Sequence, residues 1–113
     1  LNYKGFAHKM KNDAKEMTAK RKEKPAPKYV LILLNDQFHS FEYVIKMCKT
    51  VFNYSDEQGK NIANEVHNQG KCIIWGPGPL EVAELKQDQV HAIGKDPLIF
   101  NCQGSMTAYL EEQ

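Results

Sequence analysis

The run Val30-Leu31-Ile32-Leu33-Leu34, cut short by Asn35-Asp36, constrains this chain more than any other stretch. Five consecutive branched apolar residues with no polar alternation read as a strand buried on both faces. Asn and Asp end such a strand, because their short polar side chains bond the local backbone and tolerate turn geometry. The polar break runs to Ser40, a good helix N-cap. Beyond it Phe41, Val44, Ile45, Cys48, Val51 and Phe52 recur at helical spacing, so one helix face is apolar. A carboxylate and a carboxamide thus sit between two rigid elements. Both are hydrogen-bond acceptors, suited to holding a positively charged group.

The rest of the chain supplies partners for that strand. Asn53-Tyr54 ends the first helix. Ser55 with Gln58 three residues on is a capping-box pattern, and Asp56-Glu57 suit the positive end of a second helix, expected to reach about Asn68. Ile62 and Val66 are its main apolar positions. Gln69-Gly70 makes a turn, and Lys71 to Trp75 reads as a second strand. Gly76-Pro77-Gly78-Pro79 is expected as a stiff loop, since neither a helix nor a central strand holds that sequence. A third helix begins near Pro79 and stops at Gly94. Pro97 to Cys102 is expected as the third strand, leaving 103–113 as a short C-terminal extension in which Tyr109-Leu110 can dock. The order β-α-α-β-α-β predicts an α+β domain, a small three-stranded antiparallel sheet packed by three helices.

At 113 residues and 42% hydrophobic content, the chain suits one domain over residues 28–102. Its charge is uneven. The net charge is +1, yet the first 24 residues hold eight basic side chains against three acidic ones, leaving the remainder acidic. With Pro25 and Pro27 as a connector, residues 1–27 are expected to form a flexible basic arm. Cys48, Cys72 and Cys102 are odd in number and form no CxxC pair, so three reduced thiols are expected, and no metal site. No run approaches the ~18 apolar residues of a membrane span, and the N-terminus lacks the apolar centre of a secretory signal. These point to a cytoplasmic setting.

Four blocks in order resemble the Clp protease adaptor family ClpS. They are the strand leading through Asn35-Asp36 to Phe41-Glu42-Tyr43-Val44-Ile45, then Val66-His67-Asn68-Gln69-Gly70-Lys71, then Glu81-Val82-Ala83-Glu84-Leu85-Lys86, and finally Pro97-Leu98. The resemblance implies a non-enzymatic adaptor without cofactors. Such an adaptor binds the first residue of an N-degron protein, usually Leu, Phe, Tyr or Trp, and delivers it to an ATP-dependent Clp unfoldase of the ClpA or ClpC type. It implies that Asn35, Asp36 and His67 bind the free α-amino group. His39, Phe41, Val44, Ala63, Val66 and Leu98 would line the side-chain pocket, and Glu81 and Lys86 would face the unfoldase. A bacterial cytoplasm or a plastid stroma is the implied location.

The chemistry agrees with that implication. A protein N-terminus is an ammonium with three donors and needs three acceptors. Asp36 supplies a carboxylate, Asn35 a carbonyl oxygen, and His67 a ring nitrogen when its imidazole is neutral. Several positions depart from the family pattern. Gln37 stands where a second acid is common, and His39-Ser40 where Thr-Pro is common. Phe41 and Ala63 stand where Met is usual. In isolation Asn35-Asp36 would be a turn and His67 a helix cap. The alternative reading is a ribosome- or RNA-associated small α+β domain with a basic arm. Asp36, His39 and His67 would serve a third reading, acid-base catalysis, but no nucleophile or metal motif accompanies them.

Overall fold

The computed structural model describes residues 25–113, so the basic arm, as far as residue 24, lies outside the described residues. Six elements follow in order: β1 (Tyr29–Leu34), α1 (Phe41–Phe52), α2 (Asp56–Gln69), β2 (Lys71–Gly78), α3 (Leu80–Ala92) and β3 (Ala108–Glu112). The sheet order is β2-β1-β3, antiparallel throughout. The expected architecture is present, with β1 at its centre. This position explains the unbroken apolar run, because Val30, Leu31, Ile32 and Leu33 are all buried. Leu31 and Leu33 join Tyr43, Val44, Met47, Cys48 and Val51 of α1, Ala63 and Val66 of α2, and Val90 of α3 in one core.

Local chemistry sets the helix limits. Ser40 caps α1 by accepting the Tyr43 N–H, and Asn53 closes it in the left-handed conformation, φ 59°. Ser55 and Gln58 form the reciprocal capping box of α2, and Gly70 ends that helix at φ 89°. All three cysteines are free and buried. Burial pushes the Cys48 thiol up to about 12, so it behaves as an apolar core atom.

Two sequence expectations change. The 76–79 stretch is not wholly a loop, because β2 continues to Gly78, with Tyr29 opposite Gly78 and register shifts between Tyr29 and Ile32. β2 is an edge strand, where irregular pairing tolerates Pro77. The third strand is also displaced. Residues 97–101 form turns, and the strand that pairs with β1 is Ala108–Glu112, with Leu33 opposite Ala108 and Tyr29 opposite Glu112. The cause is local hydrogen bonding. The Leu98 N–H donates to Asp96 Oδ1 at 2.9 Å, the Ile99 N–H to the Asp96 carbonyl at 3.2 Å, and the Cys102 N–H to the Ile99 carbonyl at 3.2 Å. Amides donated to these turns are not available to a ladder. Leu98 and Phe100, which looked like strand residues, are exposed.

Gly76 and Gly70 both have positive φ but differ in surroundings. A Cβ on Gly70 meets nothing within 4 Å, whereas one on Gly76 would lie 2.6 Å from the Tyr29 carbonyl oxygen. Gly70→Ala is expected to cost about 1 kcal/mol of conformational strain. Gly76→Ala adds a backbone clash between β1 and β2, so its loss is larger. Urea unfolding of the two variants checks this order; equal losses would mean that the 76–78 bulge yields freely.

Candidate functional site

The site lies where β1, the start of α1 and the end of α2 converge. The Asn35 N–H donates to the Gly70 carbonyl at 2.9 Å, which holds the C-terminal turn of α2 against the end of β1. A cavity of about 240 Å3 opens at that junction. Val44, Ala63, Val66 and Met106 provide its apolar lining, and Asn35, Asp36 and His67 contribute polar groups. Phe41 also lines it, 40% exposed, its ring edge-on to His67 with centroids 5.6 Å apart. His39 completes the wall.

Each polar group is held in place. Asp36 Oδ1 accepts the Phe38 N–H at 2.8 Å, a local turn that fixes the carboxylate. His39 Nδ1 lies 2.9 Å from both Asp36 oxygens, and its Nε2 lies 2.7 Å from the Gly104 carbonyl oxygen. The His39 side chain is 4% exposed and that of Asp36 28%. A carboxylate offers about four lone-pair directions, so the exposed edge of Asp36 can still accept from a ligand. The His39 ring also packs on Tyr43, with centroids 4.5 Å apart.

Behind this wall lies a second, buried carboxylate that no sequence motif singles out. Asp96 is 2% exposed. Its Oδ2 accepts both the backbone N–H and the hydroxyl of Ser40 at 2.7 Å each, while Oδ1 accepts the Leu98 N–H. Burial alone would raise its pKa. The hydrogen bonds from Ser40 and Leu98, with His39 nearby, outweigh burial and hold it below the usual aspartate range. Cys102 Sγ accepts the Asp96 N–H at 3.1 Å and donates to the Gly104 carbonyl at 3.2 Å. Segment 94–106 is thereby fastened to the first turn of α1.

Eight of the residues expected at the site therefore line one cavity: Asn35, Asp36, His39, Phe41, Val44, Ala63, Val66 and His67. Leu98 does not. It is 65% exposed, in the turn that follows Asp96, outside the lining. Because the strand begins at Ala108, the wall expected of Leu98 is made by Met106, which is buried. The alternation Met106, Ala108, Leu110 was the available signal for it. Glu81 is exposed in the first turn of α3. Lys86 Nζ donates to the Val51 carbonyl at 3.2 Å and lies 5.7 Å from the Phe52 ring centroid, so this lysine also caps the end of α1.

This fold and site are those of a small adaptor domain with a pocket at a strand-helix junction. The family model for the ATP-dependent Clp protease adaptor protein ClpS matches residues 24–100, and the chain belongs to that family. It is 34% identical to the ClpS adapter of Nautilia profundicola over 59% of this chain and 68% of that protein. It is 37% identical to the ClpS adapter of Nitrosospira multiformis, over 67% of this chain and 74% of that one. Identity to ClpS 2 of Rhizobium meliloti is 31%, over 80% and 90% respectively. Among solved structures, Agrobacterium tumefaciens ClpS2 bound to L-phenylalaninamide has a similar fold. The TM-score is 0.67 at 22% identity, covering 79% of this chain and all of that one.

The depressed pKa of Asp96 makes stability depend on pH. Its contribution is fully present above the ordinary aspartate range near pH 4 and is lost as pH falls through the lower folded value. Asp96→Ala should cost about 1.5–3 kcal/mol at neutral pH, the worth of hydrogen bonds to a charged group. Asp96→Asn should be less stable than the wild type at pH 7, with the gap closing towards pH 3. Thermal melts across that range measure it; a constant gap would remove Asp96 from the acid response.

Proposed function

We propose that this chain binds the free N-terminal residue of N-degron proteins and delivers them to an ATP-dependent Clp unfoldase and its protease. The observation that carries this reading is that one cavity brings together an apolar lining and acceptor groups from Asn35, Asp36 and His67. A first residue fits it in one orientation. The ammonium faces the acceptors, where charge-assisted hydrogen bonds are the strong kind. The side chain lies against Val44, Ala63, Val66 and Met106. Burying a Leu or Phe side chain there contributes roughly 1.5–3 kcal/mol. Membership of an adaptor family supports the same role, as does the amino-acid amide held by the Agrobacterium fold relative.

The adaptor acts by binding and needs no catalytic step. Asp36, His39 and Cys102 do stand in a row, with Cys102 Sγ 3.3 Å from His39 Nε2. Yet Cys102 is buried, its thiol is occupied by Asp96 and Gly104, and it lines neither of the two cavities described. That arrangement suits a brace rather than a nucleophile. The unfoldase is proposed to meet α3 around Glu81 and Lys86, where Val82 and Leu85 are exposed. Among the described residues no helix is long and apolar enough to cross a membrane. We place the protein in a bacterial cytoplasm, with a plastid stroma as the second setting.

Leu, Phe, Tyr and Trp are the favoured first residues. Phe41 is stiff and braced by His67, while Ala63 leaves room within the cavity. A side chain branched at Cβ carries its extra methyl to the mouth, against Phe41. Ile should therefore bind worse than Leu by roughly 1–3 kcal/mol, the cost of overpacking. Fluorescence anisotropy with peptides starting in Leu, Phe, Ile or Ser, on wild type and Phe41→Ala, tests both points. The expected order is Leu and Phe over Ile over Ser, with the Leu-Ile gap reduced in Phe41→Ala. Ser bound as tightly as Leu would overturn the first-residue reading; Leu and Ile bound equally would remove Phe41 as gatekeeper.

A further inference from the structure

A second groove, of about 490 Å3, lies beside the first, where Asp36, Phe38 and His39 face the 101–105 segment with Asn101, Gln103 and Gly104 in its lining. We propose that it holds the backbone of the second and third residues of the bound chain, which would make the turn segment 96–105 part of the binding surface. This rests on the reading of the first cavity given above.

Asp36 and His39 belong to both linings, so the two spaces meet at that pair. A ligand whose ammonium sits on the exposed edge of Asp36 has its next Cα only about 3.8 Å from the first. Residue two therefore lies at the boundary and residue three beyond it. The lining suits neutral peptide groups. Asn101 and Gln103 are exposed, and no hydrogen bond within the described residues occupies either carboxamide. Each carboxamide offers donors and an acceptor, so the pair can meet both the N–H and the C=O of a passing chain whatever its side chains. The Gly104 carbonyl is already taken by His39 and Cys102. Phe38, 42% exposed, adds an apolar wall. The lining contains no Lys or Arg among the described residues, which disfavours an anion as the ligand.

The groove is also preorganised. Asp96 ties the start of the segment to Ser40, Cys102 bonds back to Asp96, and Gly104 is held by His39. A surface fixed before binding loses less entropy when it binds.

Calorimetry with three probes tests the proposal: L-phenylalaninamide and the amides of Phe-Ala-Ala and Phe-Gly-Gly. Both tripeptides should bind the wild type at least tenfold tighter than phenylalaninamide and within about threefold of each other. In Asn101→Ala/Gln103→Ala the gain should disappear while phenylalaninamide affinity is unchanged. Equal affinity for all three probes, or a gain that survives in the double variant, would overturn the groove and leave the first-residue site standing. A gain for Phe-Ala-Ala alone would overturn the backbone assignment. No binding of phenylalaninamide at all would overturn the first-residue reading and this proposal with it.

Discussion

Ser40 gives both its backbone N–H and its hydroxyl to one oxygen of Asp96, at 2.7 Å each, while the same hydroxyl oxygen accepts the Tyr43 N–H. One serine therefore starts α1 and anchors the segment that follows α3. The buried carboxylate lies at the N-terminal end of α1, where the helix dipole favours negative charge. From this joint the remaining geometry follows. The Asp96 turn sets the path of 97–105, that path brings the Gly104 carbonyl to His39, and His39 in turn steadies Asp36. The acceptor at the site mouth is thus supported through two layers of side chains, as a precise binding constellation requires.

The division between strength and shape is clear. Charge-assisted hydrogen bonds at Asn35, Asp36 and His67 would supply orientation, while Val44, Ala63, Val66 and Met106 supply the apolar contact. These groups come from separate elements: the end of β1, the helices α1 and α2, and the approach to β3. Helices α1 and α2 place Val44, Ala63, Val66 and His67, the turn after β1 carries Asn35 and Asp36, and the approach to β3 carries Met106. The edge-on packing of Phe41 against His67 links the two halves, so that on the proposed reading the ring at the pocket mouth would also limit the movement of an acceptor.

Much of this was legible in the sequence because its signals were local. The buried run at 30–34, the serine caps at 40 and 55, and Gly70 at a helix end each announce their own conformation. The resemblance then gathered Asn35, Asp36 and His67 around one place. What stayed hidden depended on distant partners. Asp96 looks like an ordinary turn residue until Ser40, 56 positions away, meets it. Leu98-Ile99-Phe100 has the composition of a strand, yet the Asp96 carboxylate captures the Leu98 amide and coils the segment. β3 was obscured because Glu111 and Glu112 follow its apolar positions at an exposed sheet edge, where charge is tolerated. Leu98 was misplaced for the same reason, and Met106 was passed over.

On the proposed reading, the free amine of the first residue meets the acceptors around Asp36. Titration calorimetry of one Phe-starting peptide, with its amine free and then acetylated, tests it most directly. Acetylation should remove about 1.5–3 kcal/mol of binding or more, the value of hydrogen bonds to a charged group. Asp36→Ala should narrow the difference between the two peptides. Equal affinity of the free and acetylated peptides for the wild-type protein would contradict it.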